Sequence, residues 1–177
     1  MRQLLQPPAR VVRKRALAFG LAVLVLVVGA AVFASAAAAD RPATFHYTTT
    51  GSAVLTDICA FPVTVDFTAD VTETDFVDTN GNVTRVVLHL VEQDTFTANG
   101  NTLVGLPYTA NLEILFDSSG NVTHIYGEGV AERIQLPNGS LFLTAGRSDF
   151  IGHPEGFVLV PDVGTPGDVT GFCAALS

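Results

Sequence analysis

The amino-acid sequence predicts an all-β protein: an antiparallel up-and-down meander of about eight strands that closes, or nearly closes, into a barrel. Three observations support this prediction. Beyond residue 40, polar and apolar residues alternate with the two-residue period of a strand, and no stretch there repeats at helical spacing. Turn signals recur about 20 residues apart. Because strands of this length leave open edges unless the sheet coils, we expect a barrel; a two-sheet β-sandwich is the alternative.

An N-terminal signal helix precedes this domain in the prediction. Five of the nine basic residues lie within the first 15 positions, and residues 16–39 carry no charge. The basic start, the apolar core 17–33 and the small residues Ala34-Ser35-Ala36 or Ala37-Ala38-Ala39 match the pattern of a cleaved signal peptide. The alternative is an uncleaved membrane anchor, because about 20 apolar residues span a bilayer. In both cases residues 40–177 are expected to form one β-rich domain that is secreted or lies on the exterior of the cell envelope.

The domain beyond the leader is strongly acidic. All 17 acidic residues remain after residue 39, so the formal net charge of residues 40–177 is −13, and the basic residues are Arg41, Arg85, Arg133 and Arg147. Such a surface repels phosphate backbones and anionic lipids. Nucleic acid is therefore excluded as a partner, and membrane contact is expected only through an uncleaved N-terminal segment. The charge pattern makes no prediction of the oligomeric state.

Two cysteines, Cys59 and Cys173, lie near the two ends of the domain. In an exported protein the expectation is a disulfide. A catalytic thiol is the alternative, but neither cysteine has a histidine or basic neighbour in sequence that would lower its pKa.

Strands follow one another along the domain. The first is expected near 44–50 and the second through 61–77, where Val63, Val65 and Phe67 alternate with threonines and aspartates. The later strands are separated by turn signals at Thr79-Asn80-Gly81, Asn99-Gly100, Ser118-Ser119-Gly120 and Asn138-Gly139. Two shorter strands are expected near 157–160 and 169–173.

Two of the turns are near copies: residues 78–84 match residues 117–123, each beginning with Asp and carrying Gly at the fourth position. A calcium loop needs Gly at the sixth position and a distal Glu, so no metal site or cofactor is predicted. We expect a type I turn followed by a left-handed Gly.

Turn lengths predict the register of the hairpins. Three-residue loops at 79–81 and 118–120 would pair Asp75 with Arg85 and Ile114 with His124, and a two-residue turn at Asn138-Gly139 would pair Val130 with Arg147. When the inward and outward alternation of the first hairpin is continued through the turn at Asn99-Gly100, Leu112 and Ile114 fall on the wrong face by one residue. One inserted residue restores the alternation, which predicts a bulge at Gly105-Leu106-Pro107.

This register places six polar residues on the inner, apolar side: His124, Tyr126, Glu128, Glu132, Arg147 and Asp149. Polar groups inside a barrel must be paired, hydrated or in contact with a ligand. One interpretation is that Arg147 clamps Glu128 and Glu132 and closes one barrel end, with His124 and Tyr126 as hydrogen-bonded core residues; a bulge at Gly127 and Gly129 could also turn Glu128 outward. The other is a ligand site with apolar walls. No Ser or Cys nucleophile motif accompanies these residues, so no catalytic residue is predicted and an enzyme is the less favoured class.

The motifs Cys59-Ala60-Phe61-Pro62-Val63, Asp78 to Arg85, Leu141 to Arg147 and the terminal Cys173-Ala174-Ala175-Leu176 resemble a group of uncharacterised secreted β-rich proteins of actinobacteria. The resemblance covers most of the domain. It implies export, a β-rich fold and paired cysteines near the ends, and it transfers no catalytic residue.

Three functions are consistent with these patterns. The first is an exported barrel that binds a small apolar molecule. The second is a structural or interaction protein of the cell envelope with a filled core. The third is a barrel isomerase or hydrolase. A cavity of a few hundred Å³ that reaches His124 would favour the first, and a filled interior the second.

Overall fold

A computed structural model describes residues 42–153 and 156–177. The predicted signal segment, residues 1–39, lies outside this part of the chain. The elements, in order, are β1 (Ala43–Leu55), β2 (Val63–Val77), β3 (Val83–Ala98), β4 (Asn101–Val104), β5 (Tyr108–Phe116), β6 (Val122–Gln135), β7 (Leu141–Asp149), a 3-10 turn (Phe150–Gly152), β8 (Val163–Thr165) and α1 (Val169–Ala175).

The eight strands form one antiparallel sheet, in the order β1-β2-β3-β5-β6-β7-β8, with β4 also paired to β3. The predicted all-β meander of about eight strands is therefore confirmed. Within the described residues the sheet is an open path with β1 and β8 at its ends, so closure into a barrel stays a prediction. In the same part of the chain no helix has the length and apolar character needed to cross a membrane.

Two of the predicted short strands are wrong. Residues 169–173 begin α1, because the Asp168 carboxylate caps the helix by accepting a hydrogen bond from Gly171 N at 2.9 Å. Residues 157–160 form no strand; Phe157, Val158 and Leu159 are buried in the core, and the last strand comes later, at Val163–Thr165.

The predicted bulge at Gly105-Leu106-Pro107 is confirmed by the register on β3. Thr95 lies opposite Val104, but Glu92 lies opposite Tyr108, so two residues of β3 face three of the partner chain. The bulge joins β4 and β5 along one edge of β3. Gly105 N donates to Asp94 O at 2.7 Å, which keeps the extra residues tied to the ladder.

The two copied turns form as expected but carry an additional residue. Asp117 Oδ1 accepts from Ser119 N and Asn121 N, and Gly120 adopts φ +79°. The hydroxyl of Thr123 donates to Leu115 O, and Thr123 is the extra residue of a bulge. The copy repeats this arrangement, with Thr84 donating to Phe76 O.

Three predicted registers are wrong because of such insertions. Arg85 pairs with Phe76 rather than Asp75, and His124 pairs with Leu115 rather than Ile114. The last hairpin has a three-residue loop, Pro137-Asn138-Gly139, closed by Leu136 N donating to Ser140 O, so Arg147 pairs with Glu128 rather than Val130. One inserted residue moves the side chains that follow to the opposite face of the sheet.

The core lies on one face of the sheet, called here the inner face, and is divided into two clusters. The first cluster is covered by α1 and by residues 157–159, with Phe172 packed edge-on against Phe96 at 5.3 Å. The second is built by apolar residues of β2, β3 and β5, with Ile125 of β6 packed against it. The predicted disulfide Cys59–Cys173 is confirmed and fastens α1 to the β1–β2 connection.

Candidate functional site

The six candidate residues divide between the two faces of the sheet. Glu132 lies on the inner face, as predicted, and is fully buried. The predicted inward orientation of the other five is wrong; they lie on the outer face: His124, Tyr126, Glu128, Arg147 and Asp149.

Two inserted residues explain this division. Thr123 reverses the orientation of residues 124–129 relative to the prediction, and a second irregularity, between Val130 and Glu132, restores it. On β7, the three-residue loop moves every side chain of the strand to the face opposite the one predicted. Phe142 and Thr144 are therefore buried, whereas Leu141 and Leu143 face solvent.

The five outer residues, together with Asn111 and Glu113 of β5, form one contiguous surface, called here the outer patch. The rings of His124 and Tyr126 stack at 5.2 Å, and the Arg147 guanidinium lies 4.5 Å from the centroid of the Tyr126 ring. Arg147 Nε also lies 3.7 Å from Glu128 Oε1. The patch therefore holds an aromatic pair under one cation, an arrangement in which ring faces attract positive charge.

Two further side-chain contacts extend this arrangement. His124 Nδ1 is 4.0 Å from Asp149 Oδ2. Arg85 donates to Glu113 Oε1 at 3.2 Å and lies over the ring of Phe76. Arg85 and Arg147 thus lie on this part of the outer face, and each one contacts a carboxylate and an aromatic ring.

A shallow groove of about 210 Å³ runs through the outer patch, lined by Val87, Asn111, Leu112, Glu113, Tyr126, Glu128 and Arg147. It is smaller than the pockets of about 300–1,000 Å³ that bury drug-sized ligands. Its walls combine donors, acceptors and an aromatic edge, so the groove fits a side chain or a small polar group of a partner better than a whole apolar ligand.

A second polar group lies on the inner face, and of its members only Glu132 was predicted from the sequence. It consists of Asp94, Glu132 and the partly buried Glu92, with the Tyr108 hydroxyl donating to Asp94 Oδ2 at 2.9 Å. We call it the carboxyl cluster. Glu92 and Asp94 follow the same alternation as Val86, Leu88 and Leu90 on β3, so the phase of that strand was the signal that could have identified them.

Burial dominates the electrostatics of the carboxyl cluster. Loss of solvation raises the pKa of Asp94 and that of Glu92 to about 8, and the pKa of Glu132 to about 7. The same burial raises the pKa of the Tyr108 hydroxyl. In the described part of the chain no ion pair reaches these carboxyl groups.

Hydrogen bonding supports protonation of the cluster near neutral pH. Glu132 Oε1 accepts from Arg133 N at 2.7 Å, whereas Glu132 Oε2 and Asp94 Oδ1 are buried and meet no donor among the described residues. A proton shared between neighbouring carboxyl groups supplies the missing donor, as in paired carboxylates elsewhere. Across residues 42–153 and 156–177, no group of three or more His, Cys, Asp or Glu residues is arranged to hold a metal ion.

No protein-family model, no curated protein and no solved structure matches the chain. The two polar groups differ in their access to solvent. The outer patch is open to a partner, and the carboxyl cluster is closed by the core.

Proposed function

We propose that the chain is an exported interaction protein of the cell exterior that contacts its partner through the outer patch. One observation carries this proposal: five polar and aromatic residues that the alternation pattern would bury instead form a connected, solvent-facing surface around a groove. Packing of the core does not require such a surface, whereas recognition of a partner uses aromatic and arginine side chains with a polar surround.

Export is part of the proposal. The leader pattern supports it, and the disulfide Cys59–Cys173 is consistent with an oxidising compartment. The nearly closed form of the barrel, with the β1 edge left unpaired, is also part of it. Strands of 13 to 16 residues, such as β1, β2 and β3, are long enough to favour a coiled sheet, and two apolar clusters fill the inner face.

The test is site-specific photo-crosslinking in cells that produce the protein. A photo-reactive residue at Asn111, on the rim of the groove, is expected to give a discrete adduct that Arg147→Ala removes. The matched control carries the same residue at Thr97, which is exposed on the outer face of β3 but lies beyond the outer patch. Identical adducts from both positions, or none from Asn111, would contradict the proposal.

The rival proposal is a small apolar ligand held inside the sheet. The two apolar clusters on the inner face do not favour it, because they occupy the space that such a ligand would need. Native mass spectrometry of the protein purified from its producing cells separates the two proposals. A co-purified small molecule whose retention is unchanged by Arg147→Ala would favour the interior ligand.

A further inference from the structure

The first strand of the sheet has one edge that no described strand pairs with, and only its last residue, Leu55, is buried. β1 pairs with β2 from Ala43, opposite Asp75, to Leu55, opposite Val63. Its side-chain hydrogen bonds also go to β2, from His46, Tyr47 and Thr48. Within the described residues no strand pairs with the other edge of β1, so a row of backbone N–H and C=O groups faces outward there.

Nothing in β1 protects this edge. Natural edge strands are shortened or carry Lys, Pro or a bulge that prevents pairing with another chain. β1 is 13 residues long, contains no Pro, Asp, Glu, Lys or Arg, and pairs with β2 without a register shift. The opposite edge of the sheet differs, since β8 has only three residues and is followed by Pro166 and Gly167.

Charge favours a second copy of this chain at that edge. Two domains of net charge −13 repel each other, and they approach at least cost where acidic residues are absent. β1 is such a place, whereas the adjacent β2 carries Asp66, Asp70, Glu73 and Asp75.

The sequence of β1 is also complementary to itself. Antiparallel pairing about a two-fold axis at Thr49 places Phe45 opposite Ala53, a large residue against a small one, and Tyr47 opposite Gly51, which is covered by the ring of Phe67 from β2. Phe45 is 41% exposed in the single chain and gains cover in this arrangement. On the outer face Thr48 lies opposite Thr50, and no two ionisable side chains oppose each other.

We propose that two copies of the chain pair through their β1 edges, antiparallel about a two-fold axis at Thr49, and so join their sheets into one continuous sheet. The interface is isologous, since each β1 presents the same edge to the other. It lies on the strand edge, away from the outer patch of β5, β6 and β7, so a dimer presents two outer patches to partners.

Cysteine crosslinking tests the register. In the protein purified after export, Thr49→Cys is expected to give a covalent dimer on a non-reducing gel, because the two Thr49 side chains meet at the axis. The matched control is Thr44→Cys. In the proposed register each Thr44 faces Val54, which separates the two Thr44 positions by about 33 Å, and no covalent dimer is expected.

Light scattering during gel filtration tests the dimer itself. The unmodified protein is expected at twice the monomer mass. Thr48→Glu/Thr50→Glu places like charges opposite each other across the axis and is expected to raise the dimer dissociation constant at least about tenfold. Thr97→Glu adds a negative charge to an exposed residue of β3, whose two edges are paired, and should leave the dimer unchanged.

Three outcomes would overturn the proposal: a monomer at the highest soluble concentration, equal crosslinking of Thr49→Cys and Thr44→Cys, or a dimer that survives Thr48→Glu/Thr50→Glu. Circular dichroism of each variant shows whether it has folded. If the double glutamate variant does not fold, the two cysteine variants decide the question on their own.

Discussion

Glu128 and Glu132 lie four residues apart on β6 and have opposite environments. The side chain of Glu128 is 66% exposed and lies 3.7 Å from Arg147, whereas Glu132 is fully buried among carboxyl groups. One irregularity in the pairing with β7, between Val130 and Glu132, separates them. A glutamate is therefore part of the exposed outer patch on one face of the sheet and part of the buried carboxyl cluster on the other.

The two regions differ in how they compensate charge. In the outer patch, the carboxyl groups of Glu113 and Glu128 are exposed to water and lie beside arginines. In the carboxyl cluster, burial excludes water and no ion pair is found among the described residues, so carboxyl groups are kept neutral by raised pKa values. Experiments that open the inner face should therefore affect the cluster and leave the outer patch largely unchanged.

The largest effect is expected from removing the disulfide that holds α1 against the inner face. Cys59→Ser/Cys173→Ser should lower the free energy of unfolding by about 4 kcal/mol, because a bond across 114 residues restricts the unfolded chain strongly. Guanidinium unfolding measures the change. Amide hydrogen exchange should increase around Asp94 and stay unchanged around Tyr126.

Cys59→Ala/Cys173→Ala is the matched control, since it removes the bond without adding two hydroxyl groups to the edge of the core. Both double variants should lose similar stability. A loss below about 1 kcal/mol in both would show that the disulfide contributes little to the folded state.

The second effect is a decrease in stability as pH rises. A carboxyl group whose folded pKa is raised binds its proton more tightly in the folded protein, so its stabilising contribution is complete below the unfolded pKa, near 4, and is lost as pH rises to the folded pKa. For Glu132 that pKa is about 7, and for Asp94 about 8. As pH rises from about 4 to about 7, the loss of the Glu132 contribution alone should lower the free energy of unfolding by about 3 kcal/mol. Urea unfolding between pH 5 and pH 8.5 measures the trend.

Asp94→Asn/Glu132→Gln tests the source of the trend. Neutral amides of similar shape do not titrate, so the stability of this variant should vary less with pH over the same range. Asp78 and Asp117 stay ionised there, because hydrogen bonds from Asn82 and Asn121 lower their pKa values. A wild-type stability that is constant or rises toward pH 8.5 would contradict neutral carboxyl groups in the core.

The same comparison shows how far the sequence predicts this molecule. Alternation and turn residues are local signals, and they predicted the meander, the positions of the turns and the bulge at Gly105-Leu106-Pro107. The pairing of Cys59 with Cys173 followed from their number and from the leader. The barrel and the function stay predictions.

Inward and outward orientation was harder to predict, because single residues decide it. Thr84 and Thr123 follow the copied turns, and their hydroxyl groups bond across the hairpin, which stabilises a bulge that alternation alone does not reveal. Pro137 adds a third residue to the last loop. The segment 169–173 has the length of a short strand, but capping by Asp168 makes it helical.

The smallest effect is expected in the outer patch. Arg147→Ala removes an ion pair whose side chains are 55% and 66% exposed, together with the contact over Tyr126, so the free energy of unfolding should fall by about 1 kcal/mol or less. Urea unfolding at low and high salt measures it, and the difference between wild type and variant should shrink as salt screens the pair. Arg133→Ala is the matched control, because Arg133 is an exposed arginine of β6 that lies on the outer face of the sheet but outside the outer patch. A loss of several kcal/mol that does not depend on salt would mean that Arg147 supports the fold, and the outer patch would then be a structural feature rather than a surface reserved for a partner.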